Sequence, residues 1–493
     1  MKEGSYRTFA EAAQKGTVAA VVRSVPADLL TPLAAYLKLA KGSTYSFLLE
    51  SVEGGEHLAR YSFLGADPEL IVIGRGKSTS VIQKGSRVEH GRSAIDFLRE
   101  YFGTRQLAHA GPIAPLAGGA VGYLGYGAAQ WFDPAMQTLP SEGNDAVFMI
   151  FNTVIAFDHA RQQLQIQAVA DVGSVRQDPA QLKKTFEGAL ERTERVVEAL
   201  RRPIEWTLPD FAEAAPVTFD SNFTRSEFEA AVRETQELIA AGECYQAVLS
   251  QRFSRRTPAD AVAIYRALRV TNPSPYMYLL KCGEESLIGA SPEMLVRCRG
   301  EQLEYRPIAG TRPRGADAVE DARLASELLA DEKERAEHVM LVDLGRNDLG
   351  KVARYGTVKP ERLMKVEKYS HVQHIVTELS ATLRDGCDRF DALGACFPAG
   401  TVTGAPKIRA MKVIADLEHG PRGVYSGSVL YADYAGNLDS CIAIRTIELR
   451  DGVASVQAGA GIVADSDPGS EFEETLNKSR ALQQAIAIAE AGV

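Results

Sequence analysis

Short runs of β-branched and aromatic residues, each ended by Gly, Pro or a polar residue, dominate the first 200 residues and are typical of strands. The strands predicted near the start are Tyr45–Val52, Arg60–Gly65 and Glu69–Gly74. The runs Ala146–Asp158 and Gln163–Ala170 flank a short polar turn and predict a hairpin. A charged pattern of helical period follows from Gln181 to Arg202. This part of the chain is therefore expected to be rich in strands.

A proline-containing segment, Arg202–Thr224, predicts a boundary between two regions, 1–215 and 216–493. The second region opens with an amphipathic helix, for which Thr224 and Glu227 form a capping box. Its longest helical patterns are Asp321–Leu344 and Glu471–Ala491. Strands are predicted in LEYRPI, GVYSGSVLYADY, CIAIRTIELR and VASVQAGAGIVA. Strands outnumber helices and several neighbours can pair as hairpins, so the pattern predicts an α+β fold.

Charge and composition limit the binding partners that the protein can have and the cellular compartment in which it is expected. The 493 residues carry a formal net charge of −9, which gives no basic surface for nucleic acid. The six cysteines are scattered, as is typical of reduced thiols in the cytoplasm. The uncharged stretch Gly111–Phe132 is long enough to cross a membrane, but its prolines and glycines favour buried turns and a strand. The polar first residues lack the apolar core of a signal peptide. We expect a soluble cytoplasmic protein without a nucleic-acid or membrane partner.

Several familiar motifs are incomplete. GRGKS ends like a P-loop, but Ile71 occupies the position of the first glycine. GYGAAQ has Gln130 where a dinucleotide fingerprint needs its third glycine. His371 and His374 have no third ligand nearby in sequence, so zinc is not expected there. No cysteine lies in a glycine-flanked turn, so a built-in glutaminase is not expected either.

Two pairs of carboxylates recur at helical spacing in the second region. Glu334 and Glu337 lie three residues apart, as do Glu471 and Glu474, so each pair projects from one side of its helix. If the two helices face each other, the oxygen-rich site suits Mg²⁺. The alternative is two solvated helix faces, with Glu474 and Lys478 as an ordinary i,i+4 ion pair.

Three glycine-rich segments accompany these carboxylates: AGTRPRG, GTVTGAPK and AGAGIVADSDPGSE. Small residues let backbone N–H groups approach an anion closely. Arg445, in the predicted strand CIAIRT, has apolar neighbours, and a buried Arg needs an anionic partner. That partner is either a ligand or a structural carboxylate.

Seven motifs in the second region give a specific resemblance. SPEML, RPIAGTRPRG, ERAEHVMLVDLGRND, FPAGTVTGAPKIRAM, GVYSGSV, CIAIRT and GAGIVADSDPGSEFEETLNK follow one another in the order seen in the chorismate-utilising enzymes. In the first region, LLES, RYSFLG and GGAVGYLGYG are similar to the anthranilate-forming branch of that family. The resemblance covers residues 220–490 most strongly. It implies large antiparallel sheets packed as a sandwich with helices outside.

The resemblance also implies the chemistry. Members convert chorismate with the help of Mg²⁺, and the anthranilate-forming branch uses ammonia and releases pyruvate on the way to tryptophan. By similarity Glu337 and Glu474 are metal ligands, and Glu334 and Glu471 hold metal-bound water. The implied substrate contacts are Gly310, Thr311, Thr403, Tyr425, Arg445, Gly459, Ala460, Gly461 and Lys478. The implied catalytic residues are Glu293 as general acid, His374 near the ring, Gln246 and Thr311.

Two positions separate the branches of the family. Isochorismate- and salicylate-forming members carry a water-activating lysine where this chain has Gln246, and a neutral amide cannot act as that base. Aminodeoxychorismate synthases carry a lysine where this chain has Ala309. Both differences favour anthranilate. However, ECYQAVLSQRF looks slightly more like the aminodeoxychorismate enzymes, so component I of such a folate-pathway synthase stays as the alternative.

The resemblance further implies regulation and a partner. The tryptophan feedback site of the family matches Leu49, Glu50, Ser51, Pro275, Tyr276 and Met277. Because no amidotransferase triad is present, a separate glutamine amidotransferase small subunit is expected to deliver ammonia. A tryptophan sensor without catalysis is a further alternative, disfavoured because a sensor needs neither the metal carboxylates nor the acid.

Overall fold

The computed structural model describes residues 5–51, 60–109, 111–136, 143–204, 217–369 and 372–492. Its strands form two large sheets, and the predicted α+β class is confirmed. The predicted boundary at residues 215/216 and His371 lie outside these ranges. Within the described residues, no helix is both long and apolar enough to span a membrane.

The first sheet is built from thirteen strands of the described residues. They are β1 (Val18–Pro26), β2 (Tyr45–Glu50), β3 (Tyr61–Ala66), β7 (Leu107–Ala108), β10 (Thr153–Asp158), β11 (Gln163–Asp171), β12 (Asp220–Ser221), β13 (Gln246–Arg256), β14 (Tyr276–Cys282), β15 (Glu285–Ser291), β21 (Gly404–Ala405), β24 (Thr446–Arg450) and β25 (Val453–Ile462). Along the sheet they follow the order β12-β13-β25-β24-β15-β14-β2-β3-β10-β11-β1-β7, with β21 beside β13.

The second sheet contains twelve described strands. They are β4 (Leu70–Arg75), β5 (Ser78–Gln83), β6 (Ser86–His90), β8 (Gly119–Leu124), β9 (Ala146–Phe151), β16 (Met294–Arg299), β17 (Gln302–Tyr305), β18 (Ile308–Pro313), β19 (Lys359–Lys368), β20 (Val372–Thr382), β22 (Ser428–Asp433) and β23 (Leu438–Ile442). Their order is β18-β20-β17-β16-β23-β22-β8-β9-β4-β5-β6, with β19 beside β20.

Helices cover the outer faces of both sheets. They are α1 (Tyr6–Ala13), α2 (Pro32–Leu39), α3 (Ala94–Gly103), α4 (Pro179–Arg201), α5 (Arg225–Ala240), α6 (Ala261–Thr271), α7 (Ala318–Ala330), α8 (Glu332–Gly350), α9 (Arg389–Cys396), α10 (Lys407–Leu417) and α11 (Pro468–Ala491). The core between the sheets joins Phe47 of the first sheet to Tyr123 and Met149 of the second. Burying each such side chain contributes about 1.5–3 kcal/mol. The sandwich therefore has a hydrophobic layer between its sheets and further layers under the helices.

Each sheet contains strands from both predicted regions, arranged as two blocks that meet at one strand pair. β14 pairs with β2 in the first sheet, and β22 pairs with β8 in the second. Residues before and after position 215 therefore build the same two sheets and the same hydrophobic interior. The assignment of separate roles to 1–215 and 216–493 stays a prediction.

Two predicted elements are interrupted in the structure, and a third is continuous. The run Ala146–Asp158 divides at Asn152 into β9 and β10, which lie in different sheets, and only β10 forms the hairpin with β11. The helical pattern Asp321–Leu344 divides into α7 and α8, because the Asp331 side chain accepts the N–H groups of Lys333 and Glu334 and starts a new helix. The predicted helix after Thr224 and its capping box are confirmed.

Candidate active site

Two crossovers between the sheets lie side by side. In the first crossover, Pro292 and Glu293 connect β15 to β16. In the return crossover, residues 443–445 connect β23 to β24. The N–H of Ile442 donates to the Glu293 carbonyl at 3.0 Å, and the N–H of Ala290 donates to the Arg445 carbonyl at 3.0 Å. Glu293 and Arg445 are therefore held at the same point of the fold.

The position of Arg445 corrects the sequence analysis. CIAIRT is not one strand: β23 ends at Ile442, β24 begins at Thr446, and Arg445 between them has φ of 50°. A non-glycine residue in the left-handed region is uncommon and is held there by its surroundings. Its guanidinium is largely enclosed, and this desolvation lowers its pKa. Within the described ranges no carboxylate is among the groups that shift the pKa of Arg445, so an anionic ligand would stabilise its charge.

Glu293 has the protonation behaviour of a general acid. Its carboxyl is enclosed, and the resulting desolvation raises its pKa to about 7. The Thr401 hydroxyl and the charge of Lys478 act in the opposite direction and limit the rise. A carboxyl with this pKa is substantially protonated near neutral pH and so can donate a proton.

Two threonines of GTVTGAPK have different surroundings. The Thr403 hydroxyl, predicted to contact substrate, is fully buried and donates to the Ala399 carbonyl at 2.8 Å. The Thr401 hydroxyl is buried and lies beside the Glu293 carboxyl, whose pKa it lowers, although it makes no close hydrogen bond within the described part of the chain. Thr401 is thus a candidate that sequence reasoning missed, although it stands in the same motif.

His374 and the Gly310–Thr311 segment come together. His374 Nδ1 lies 2.8 Å from the Gly310 carbonyl and 3.2 Å from Thr311 Oγ1. A carbonyl only accepts, so Nδ1 carries the proton and Nε2 is left as a proton acceptor. Burial lowers the pKa of His374, while the Gly310 carbonyl raises it. The imidazole is therefore suited to accept a proton.

Glycines let side chains approach the backbone of β25. A Cβ on Gly459 would lie 2.7 Å from the Tyr425 hydroxyl, and one on Gly461 would lie 2.6 Å from Gln246 Nε2. Larger residues at either position would displace these side chains. Lys478 from α11 donates to the Gly459 carbonyl at 3.0 Å. Tyr425, Gln246 and Lys478 are thereby gathered around Gly459–Gly461, with Ala460 buried between the two glycines.

The predicted carboxylates come from two helices whose charged side chains lie near each other. Glu334 and Glu337 lie on α8, and Glu471 and Glu474 lie on α11. Burial raises the pKa of Glu337, and the charges of Glu334 and Glu474 raise it further. The crowding of negative charge is what a bound cation would relieve, and carboxylate oxygens are the donors that Mg²⁺ prefers.

Protein groups also contact three of these carboxylates. Glu334 pairs with Arg312 at 3.0 Å, and Glu474 pairs with Lys478 at 2.6 Å. Glu471 accepts a hydrogen bond from Ser466 at 2.7 Å. Within the described residues, no three carboxylate, imidazole or thiol side chains converge closely enough to hold a metal ion. The donor chemistry and charge fit Mg²⁺, but the side chains would have to rotate to surround it.

A buried ion pair, Arg422 and Glu418, packs next to Tyr425 of the candidate site. Arg422 is 1% exposed and Glu418 5% exposed, and their charged atoms lie 2.6 Å apart. Arg422 also donates to the carbonyls of Val402 at 2.7 Å and Val248 at 2.6 Å, and packs against the Tyr425 ring. Sequence reasoning missed this pair, for which the i,i+4 spacing at the end of α10 was the available signal.

A separate cavity gathers the six residues predicted to bind tryptophan. Leu49, Glu50, Ser51, Pro275, Tyr276 and Met277 all line it, together with Arg297, Tyr431, Asp439 and Cys441 among others. We call it the effector cavity. The Ser51 hydroxyl is buried and has no hydrogen-bond partner in the described ranges. Glu50 is held by the Tyr265 hydroxyl at 2.5 Å, and Tyr276 donates to Asp439 at 3.2 Å.

Comparisons with known proteins agree on one family. A family model described as chorismate binding enzyme matches residues 34–484. The chain is 42% identical to anthranilate synthase component 1 of Synechocystis over 97% of this chain and 98% of that protein. It is also 42% identical to the Pseudomonas putida protein of the same name, over 94% of each.

Solved structures match as well. Anthranilate synthase component I from Streptococcus pneumoniae superposes with a TM-score of 0.76 at 34% identity, covering 93% of this chain and 99% of that one. A menaquinone-specific isochorismate synthase from Escherichia coli has a TM-score of 0.69 at 19% identity, covering 98% of this chain and 100% of that one, which shows a shared fold only.

Proposed function

This chain belongs to the chorismate-binding enzymes, and from that premise we propose that it is component 1 of an anthranilate synthase, a lyase that converts chorismate and ammonia into anthranilate and pyruvate. The observation that carries the proposal is the buried Glu293 carboxyl, with a pKa of about 7, held against the crossover that carries Arg445. The reaction needs a proton donor beside an anion-binding group, and this pair supplies both.

Arg445 is suited to the enolpyruvyl carboxylate of chorismate. Its charge is desolvated and lacks an ion-pair partner in the described part of the chain. A carboxylate ligand would be an ion-pair partner for Arg445 and would accept two hydrogen bonds from its guanidinium. Tyr425 and the backbone of Gly459–Gly461 adjoin the same segment and would complete the contact.

The proposed cofactor is Mg²⁺. Glu337 and Glu474 would hold it, with Glu334 and Glu471 around its bound water. The ion would supply the positive charge that a net-acidic protein needs in order to bind the ring carboxylate of a dianion. Lys478, paired with Glu474, would add a further positive charge at this end of the site.

Glu293 and His374 are proposed to act as the acid and the base of the reaction. Ammonia attacks ring carbon C2, and the C4 hydroxyl leaves as water after Glu293 donates its proton. Loss of the C2 proton and of the enolpyruvyl group as pyruvate then makes the ring aromatic. His374, with Nε2 free to accept, would serve this second step. The neutral amide of Gln246 gives no base for water, which fits ammonia as the nucleophile.

The nitrogen source is proposed to be a separate amidotransferase subunit, since relatives are named as one component of a synthase. Five of the six cysteines are buried, and Cys387 is half-buried. Burial raises the pKa of the Cys282, Cys298, Cys396 and Cys441 thiols. These thiols are unsuited to the thiolate chemistry of a glutaminase.

Feedback inhibition by tryptophan is proposed to act through the effector cavity. The cavity has apolar walls for an indole and the buried, unpaired Ser51 hydroxyl for a polar group of the ligand. None of its lining residues is among those assigned to chorismate. Inhibition would therefore be allosteric, within the cytoplasmic pathway to tryptophan.

The test is incubation of the purified chain with chorismate, Mg²⁺ and either ammonium or glutamine. We expect anthranilate fluorescence and equimolar pyruvate with ammonium, loss of both on chelation of Mg²⁺, and no turnover with glutamine. An aminated product without pyruvate would instead indicate an aminodeoxychorismate synthase. Glutamine-dependent turnover by the single chain would contradict the need for a partner.

A further inference from the structure

Ser291 lies between the effector cavity and both crossovers. It is the last residue of β15, is fully buried, and stands in register with Tyr276, which lines the effector cavity. Its hydroxyl donates to the Ile442 carbonyl at 2.7 Å. Ile442 follows Cys441, another lining residue of the same cavity. Ser291 therefore adjoins the cavity through two different strands without lining it.

The same hydroxyl also contacts the acid. The N–H of Glu293 points to Ser291 Oγ at 3.4 Å, and within the described residues it has no other partner. The Glu293 carbonyl accepts from Ile442, whose carbonyl accepts from Ser291. Ser291, Glu293 and Ile442 thus form a closed ring of hydrogen bonds across the two crossovers, in which Ser291 and Ile442 are fully buried.

We propose that Ser291 is a positioning residue that couples the effector cavity to Glu293 and Arg445. When a ligand displaces Tyr276 or Cys441, the neighbouring Ser291 and Ile442 move with their strands. The hydrogen bonds of Ser291 then carry the displacement to the Glu293 backbone, and the bond from Ala290 carries it to the Arg445 carbonyl. The inference rests on the proposed function and names how that site is regulated.

Coupling of this kind has a thermodynamic signature. If tryptophan weakens chorismate binding by a factor, chorismate weakens tryptophan binding by the same factor, typically about 5- to 150-fold. Removing the connection lowers the factor toward 1 while each ligand still binds its own site. A residue that only stabilises the fold changes the midpoint of unfolding and leaves the factor alone.

The experiment compares Ser291→Ala with a matched control, Ser440→Ala, in the full chain with ammonium as nitrogen source. Ser440 is also buried, and it also bridges β16 and β23, donating to the Val296 carbonyl at 2.5 Å and accepting its N–H at 3.1 Å. It lies between the cavity residues Asp439 and Cys441, but its hydroxyl bonds the backbone of Val296 and not that of Glu293. Kinetics give kcat and the KM for chorismate with and without saturating tryptophan, and calorimetry gives tryptophan affinity.

For Ser291→Ala we expect kcat to fall on the order of 10- to 100-fold, because the acid is misplaced. Tryptophan affinity without chorismate should stay within about 3-fold, while the effect of tryptophan on chorismate KM should drop below about 2-fold. Ser440→Ala should keep the wild-type kcat and coupling. Ser291→Thr, which retains a hydroxyl, should restore coupling.

Three results would overturn the inference. Ser291→Ala could keep the wild-type coupling, or Ser440→Ala could lose as much coupling as Ser291→Ala. In the third result, tryptophan would leave the chorismate KM of the wild-type protein unchanged. If Ser291→Ala does not fold, Ser291→Cys, which keeps the size and weakens the donor, is measured against the same criteria. Absence of anthranilate with the wild-type chain contradicts the proposed function itself, so the two failures are distinguishable.

Discussion

At the scale of single residues, protonation states divide the work between Glu293 and His374. Both side chains are enclosed, but burial has opposite effects on them: it raises the pKa of the carboxyl and lowers the pKa of the imidazole. Near pH 7 a substantial fraction of the Glu293 carboxyl therefore has a proton to give, while the His374 imidazole is neutral with a free nitrogen. Such pairs of displaced pKa values are typical of acid and base roles.

Glu293→Gln should test the acid directly. The amide keeps the size of the side chain but has no ionisable proton, so kcat should fall by about 10²–10⁴. Because only the protonated carboxyl donates, wild-type kcat/KM should decline as pH rises through about 7. The variant should lose that decline. A pH–rate profile that is flat from pH 6 to 8 in the wild-type enzyme would contradict the assignment.

The two threonines of GTVTGAPK form a natural control pair. Thr401→Val removes a buried hydroxyl that lies beside the Glu293 carboxyl and lowers its pKa, so the variant loses an interaction with the proposed acid. We expect kcat/KM to fall about 5- to 13-fold, the value of one hydrogen bond of about 1–1.5 kcal/mol. Thr403→Val removes the bond to Ala399 and should lower the unfolding midpoint instead. If Thr403→Val instead lowers kcat/KM and leaves the unfolding midpoint unchanged, the result supports the predicted contact of Thr403 with substrate.

At the scale of elements, periodicity predicted whether a segment is a helix or a strand better than it predicted which sheet a strand joins. The strands at Tyr45, Tyr61 and Leu70 and the helix after Thr224 were predictable, because each has its own alternating or capped pattern. What local pattern could not predict is where a continuous apolar run changes sheet. Asn152 and residues 443–445 are such points, and the choice there depends on pairing with strands far away in sequence.

The residues of the candidate site could likewise be identified from the sequence, but their arrangement in space could not. Motif resemblance identified Glu293, His374 and Arg445, but the crossover that brings Glu293 beside Arg445 arises only from long-range pairing of β15, β16, β23 and β24. Arg422 and Thr401 were missed because their significance lies in which groups their side chains meet after folding. Hydrogen-bond satisfaction of this kind is a property of the folded chain.

The buried pair at the end of α10 should be essential to stability. Arg422→Met leaves the Glu418 carboxylate enclosed without its cation, which should lower the free energy of unfolding by about 3–5 kcal/mol. The matched control is Arg7→Met, which breaks an exposed i,i+4 pair with Glu11 and should cost at most about 1 kcal/mol. Urea denaturation measures both. Equal small changes would mean that water reaches Glu418.

At the scale of the whole molecule, the two predicted regions act as one body of two shared sheets. The effector cavity is a direct consequence: Leu49, Glu50 and Ser51 come from the end of β2, and Tyr276 and Met277 from β14, which pairs with β2. The register Met277↔Glu50 lies at this edge of the pairing, so a ligand in the cavity contacts both regions. β14 in turn pairs with β15, whose end leads to Glu293.

Ser51→Phe should separate feedback from catalysis. The ring would fill part of the effector cavity without touching Glu337, Glu474 or Arg445, so tryptophan inhibition should disappear while most ammonia-dependent activity remains. Ser51→Ala is the graded control: it keeps the cavity open and removes one hydroxyl, so tryptophan affinity should weaken only about 5-fold. Calorimetry measures both affinities. Because a ligand shifts an equilibrium only by its differential affinity for the two states, unchanged tryptophan affinity in Ser51→Phe would place the regulatory site elsewhere.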